Sequence, residues 1–163
     1  MRRRWLIRAR TVVGVVAIAT LGLMLSSCSV TTAGGVGIMR DATGQLQILV
    51  EMCSSDSVDV YVTQLEADEA DSTDYGKWSL PEVDDSSSIE LDPDFESGLS
   101  ETADYRALAT SKDSRSSITV FRASDVEALE SGSVLAADWA NHQLLSTFTQ
   151  DEFRSMIREK ACD

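Results

Sequence analysis

Gln45-Leu46-Gln47-Ile48-Leu49-Val50-Glu51-Met52 decides the fold. Successive side chains of an extended chain point to opposite sides, so Leu46, Ile48, Val50 and Met52 share one face while Gln45, Gln47 and Glu51 share the other. That alternation predicts a half-buried strand. Asp41-Ala42-Thr43-Gly44 immediately before it is a turn, which makes Gly37 to Arg40 the hairpin partner.

The same pattern continues outward. Val58, Val60 and Val62 alternate with Asp59 and Tyr61, and Cys53 to Ser57 is the intervening turn. Lys77 to Leu80, Ser88 to Leu91, Tyr105 to Thr110 and Ser117 to Arg122 are further short strands, while Tyr75-Gly76 reads as loop. Many short strands between Asp-, Ser- and Gly-rich turns indicate a sandwich or a barrel, not a parallel α/β sheet. The expectation is a mainly β protein, a small β-sandwich-like domain with a C-terminal α-helix. Trp78 alternates with Leu80, which assigns it to the core, and Trp139 reads the same way rather than as a sugar platform.

The helix is announced by Thr149-Gln150-Asp151-Glu152, a capping box in which Thr and Glu satisfy each other's backbone donors. Phe148 and Phe153 are placed as a hydrophobic staple, and Phe153, Met156 and Ile157 then form an apolar stripe, which predicts a helix from Gln150 to about Ala161. Ser124-Asp125-Val126-Glu127 repeats the box before a shorter helical turn that Gly132 can end. The spacing over Val134 to Phe148 fits either a hairpin turning near Asn141 or a helix, and the hairpin is preferred.

Ahead of all this stands a leader. Arg2, Arg3, Arg4, Arg8 and Arg10 precede an apolar or small run from Thr11 to Leu25, the layout of a secretory signal. The run falls short of the roughly 20 residues that a membrane span needs. Leu25-Ser26-Ser27-Cys28 then resembles the lipobox of bacterial lipoproteins, in which an aliphatic and two small residues precede the cysteine that receives a diacylglyceryl group. The resemblance covers residues 1 to 28. It implies cleavage before Cys28, lipidation of Cys28 with fatty acyl chains, and a protein held on the extracytoplasmic face of a cell membrane. Two acyl chains suffice for stable anchoring. Arg3-Arg4-Trp5-Leu6-Ile7 is similar to a twin-arginine export signal, although the positive charge serves an ordinary secretory leader equally well. Ser29 would, in a double-membraned cell, permit transfer to the outer membrane. The domains expected are therefore a signal peptide over 1–27, a flexible tether over 28–37 reaching at most about 30 Å, and a single domain over 38–163.

The leader holds five of the 14 basic residues and none of the 27 acidic ones, so the mature chain keeps nine against 27, a formal charge of −18. Such a surface repels nucleic acid, which is excluded as a partner, and predicts that the domain stands off anionic headgroups. Besides Cys28 the chain has Cys53 and Cys162. In an exported protein these read as one disulfide pinning an early strand to the C-terminal segment; a redox or metal pair would call for a CxxC spacing or a nearby histidine.

Sites of chemistry are sparse. His142 is the single histidine and has no metal-ligand spacing around it. A catalytic base would need a nucleophile and an orienting acid from elsewhere, and the chain contains no G-x-S-x-G, S-x-x-K, H-E-x-x-H or P-loop motif. Asp92-Pro93-Asp94-Phe95-Glu96 begins like a calcium loop but places Ser97 where the EF-hand needs glycine and Ala103 where it needs glutamate. Asp92, Asp94 and Glu96 remain a looser calcium candidate, and no other cofactor is indicated. A solute-binding protein of a transporter would need two domains. The expected function is a membrane-anchored extracytoplasmic module that binds a ligand or an envelope protein without catalysis; the alternative is an extracytoplasmic hydrolase using paired carboxylates, which would need two facing acids, one with a raised pKa.

Overall fold

The computed structural model describes residues 31–53, 57–65, 72–81, 83, 86–141 and 144–162. Among them two sheets pack face to face. The first runs β1 (Thr31–Thr32), β8 (Ser114–Arg115), β7 (Asp104–Thr110), β4 (Val58–Leu65) and β5 (Thr73–Leu80), with β9 (Thr119–Phe121) also on β7. The second runs β11 (Leu145–Thr149), β10 (Ser133–Ala137), β2 (Gly34–Arg40), β3 (Leu46–Met52) and β6 (Ser86–Glu90). Short helices α1 (Phe95–Gly98) and α2 (Ala123–Glu127) lie in connections, and α3 (Gln150–Ala161) closes the chain. The protein is a β-sandwich with a C-terminal helix.

Alternation builds the core. Val36 and Ile38 of β2 and Ile48 and Val50 of β3 meet Val58, Val60 and Val62 of β4 and Tyr105, Ala107 and Ala109 of β7, all buried in one cluster. The second sheet is apolar on its other face too, where Met39, Leu49, Val134 and Ala136 lie beneath Phe153 and Ile157 of α3. Three layers result: helix, sheet, sheet. β3 is therefore buried on both faces rather than half-buried, and Glu51, expected on the solvent side, is 1% exposed. It is charge-paired by α3, with Arg158 Nε at 3.1 Å and Arg154 Nε at 4.0 Å.

The helix fits because β2 is thin beneath it. A Cβ on Gly35 would lie 2.3 Å from Ile157 Cδ1, so only glycine lets the helix settle this close. Its start matches the capping box: the Thr149 N–H donates to Glu152 Oε2 at 2.8 Å, and Thr149 Oγ1 accepts from the Glu152 N–H at 3.3 Å. Its end is fixed by the Cys53–Cys162 disulfide, with Cα atoms 5.2 Å apart. The hairpins also follow the sequence. Asp41 Oδ1 accepts from the N–H groups of Thr43 and Gln45 in the β2–β3 turn, and the Leu144 N–H donates to Asn141 O between β10 and β11.

Three further expectations are corrected. The tether of residues 28–37 overlaps the fold, since β1 starts at Thr31 and Gly34 to Gly37 form the first half of β2; small residues there serve close packing, not flexibility. Tyr75-Gly76 is strand, within β5 and beside an irregularity in the β4–β5 register. The short helix starts two residues early, after Arg122 rather than Ser124; the Arg122 N–H donates to Asp125 Oδ2 at 2.8 Å. It also ends earlier, at Glu127, and Gly132 turns the chain into β10 at φ 83°. β4, after the turn that follows β3, belongs to the other sheet.

One side of the sandwich is stitched shut. Thr119, fully buried, donates from Oγ1 to Val36 O at 2.7 Å and accepts from the Ala137 N–H at 3.2 Å. The Ser117 N–H donates to Gly34 O, and the Ala33 N–H to Arg115 O. Through Ala33 the chain passes from the first sheet into the second.

Candidate interaction face

The second sheet is covered on both sides, whereas the first presents its outer face to solvent. On β4 the residues between the buried valines, Asp59, Tyr61 and Thr63, point outward. Register sets Tyr61 opposite Lys77 on β5 and Leu108 on β7, and Thr63 opposite Arg106, which in turn faces Val120 on β9. Tyr61, Leu108 and Val120 belong to neither buried cluster. Val120 is 41% exposed. Next to it Ile118, Arg115 and Thr32 line a shallow groove of about 320 Å³ at the sheet margin.

Polar contacts hold the long side chains flat along this face. Ser79 Oγ donates to Asp59 Oδ1 at 2.5 Å, the Tyr61 hydroxyl donates to Asp59 Oδ2 at 3.2 Å, and Lys77 Nζ stands 3.4 Å from the same carboxylate. The Ser79 hydrogen bond, with Lys77 assisting, pulls the Asp59 carboxyl below its ordinary range. Lys77 Nζ also lies 5.0 Å from the Tyr61 ring centroid, within cation–π range. The Tyr61 hydroxyl, followed by Asp59, raises the Lys77 pKa. Arg106 Nε donates to Thr63 Oγ1 at 3.3 Å, and Arg122 pairs with Asp104 at 2.5 Å.

The outer face thus carries an apolar band with charged side chains on either side of it. Compared with known proteins, the chain matches no family model, no curated protein and no solved structure.

The residues singled out from sequence fall elsewhere. Leu25, Ser26, Ser27, Cys28 and His142 lie outside the described residues. Cys53 and Cys162 are joined. Glu96 of the calcium candidate is turned to Arg40, whose Nη2 is 2.7 Å from Glu96 Oε1 and which also binds the Val126 and Leu129 carbonyls; Asp92 and Asp94 are exposed. Among the described residues no three His, Cys, Asp or Glu side chains gather as a metal site. Trp78 and Trp139 are partly buried against the two clusters, as core. Sequence reading passed over the outer face, although its signal was present: Tyr61 and Leu108 are bulky apolar residues at the alternating positions where polar ones belong.

Proposed function

We propose that the protein is an extracytoplasmic lipoprotein, anchored through lipid on Cys28, whose sandwich acts as a non-catalytic binding module of the cell envelope. The carrying observation is the coincidence, within residues 2–28, of the arginine cluster, the short apolar run and Leu25-Ser26-Ser27-Cys28. Support comes from the Cys53–Cys162 disulfide, the kind of bond that persists in oxidising compartments outside the cytoplasm. The open face of the first sheet is the surface such a module would use. Asp41, Asp59, Glu152 and Glu159 are all held below the ordinary carboxylate range, opposite in direction to the raised pKa of a general acid.

The test is intact mass of the protein purified from its own membranes, before and after reduction with alkylation. The expected mass is that of a chain beginning at Cys28 plus acyl groups, with Cys53 and Cys162 alkylated only after reduction. A full-length mass without acyl groups would refute the anchor.

A further inference from the structure

The outer face of the first sheet departs from the charge of the molecule. The mature chain has nine basic residues against 27 acidic ones, yet among the described residues Lys77, Arg106, Arg115 and Arg122 stand on this face against Asp59, Asp74 and Asp104, with Asp125 beside Arg122. Between them runs the apolar band of Tyr61, Leu108, Ile118 and Val120. Tyrosine with a polar tip, short aliphatic side chains and long cations whose heads reach sideways is a composition suited to the headgroup layer of a bilayer.

Position points the same way. β1 is a margin of this sheet, with Thr32 opposite Arg115. Only Ser29 and Val30 separate Cys28 from Thr31, so a lipid on Cys28 sits within about 11 Å of the sheet edge by backbone dimensions. At that tether length the effective concentration of membrane is high and even low intrinsic affinity is enough. Charges more than a screening length of about 8 Å from a contact are largely screened at physiological salt, so the residues at the contact weigh more than the net charge.

We propose that this face, centred on Tyr61, Leu108, Ile118 and Val120, lies against the anionic headgroups of the bilayer that holds Cys28. It deepens the reading of a lipid-anchored binding module and rests on it, naming the lipid surface as the partner of the open face.

Two lysines make it testable. The Lys77 side chain, on the face, is 52% exposed, and that of Lys160, on α3, is 49% exposed, so each serves as the other's reference. The lipidated protein is reconstituted on the outside of vesicles of phosphatidylcholine, with or without phosphatidylglycerol, and labelled with a membrane-impermeant amine reagent. On anionic vesicles Lys77 labelling is expected to fall about fivefold relative to Lys160, the factor that one cation near an anionic surface brings. Val120→Glu, at an exposed position, is expected to restore it, with Cys53 and Cys162 still alkylated only after reduction as proof of folding. Equal labelling of both lysines on a protein of confirmed acyl mass would overturn the docking and leave the anchor standing. A protein without acyl mass would remove the anchor and the docking with it. Lys77 protection that grows with protein density and ignores phosphatidylglycerol would give the face to a second copy, and protection surviving Val120→Glu would equally overturn the proposal.

Discussion

Gly35 shows how far one missing methyl reaches. With Ile157 Cδ1 2.3 Å and Ile157 Cγ1 2.7 Å from where a Cβ would stand, Gly35→Ala must lift α3 or distort the Ile157 side chain. Overpacking of this kind costs about 1–3 kcal/mol. We expect urea denaturation to show that loss, and Gly35→Ala combined with Ile157→Ala to cost less than the two changes summed, because they act on one contact. Strict additivity would show that the contact is not shared. At the other end of the helix the Glu152 carboxylate accepts from the Thr149 N–H and hydroxyl, and these bonds, the backbone one first, hold its pKa below the ordinary value. A depressed folded pKa contributes stability above the unfolded value and loses it as pH falls through the folded one. Parent and Glu152→Gln should therefore differ most near neutrality and converge below the carboxylate range. Urea midpoints at both ends of that range check it; a gap that persists in acid would contradict a charge-dependent cap.

Among elements, α3 depends on two fastenings of different kinds. Phe153 is fully buried between the helix and the second sheet, and Phe153→Ala should cost about 3–5 kcal/mol. The disulfide closes a separation of 109 residues, for which chain entropy gives about 4–5 kcal/mol, an upper figure where native strain intervenes. Cys53→Ser with Cys162→Ser should lower the denaturation midpoint accordingly, and an unchanged midpoint would mean that the unfolded chain is already constrained. The helix was legible to the residue because its cap, its staple and its stripe are local. The hairpins were legible because turn chemistry and alternation agree over a few residues, as at Asp41 to Gly44 and Asn141. Sheet membership was not, since it depends on which face a distant helix covers. Glu51 reads as solvent-facing until α3 brings Arg154 and Arg158 over it. Gly34 to Gly37 read as tether because glycine signals both flexibility and close approach, and only the helix above settles which.

For the whole molecule, the asymmetry of its coverings matters more than its net charge. One sheet is enclosed between a helix and its partner sheet; the other keeps an open face with mixed charge and an apolar centre. That face escaped the sequence reading because its residues come from five strands, each contributing one to three side chains that are unremarkable alone. Their adjacency follows from the register of β4 with β5 and β7, and of β7 with β9.

The passage of the chain through Ala33 has a mechanical meaning. Tension on a lipid-held Cys28 would be delivered first to β1, which has only two partner positions on β8, and then to β2. β2 is a central strand, laddered to β3 over seven positions and to β10 over four. Beyond Ala33 a pull along its axis loads both ladders in parallel, so their hydrogen bonds share the force instead of opening one at a time. If the proposed anchor holds the domain by the middle strand of this sheet, the domain would stay folded while something tugs at it.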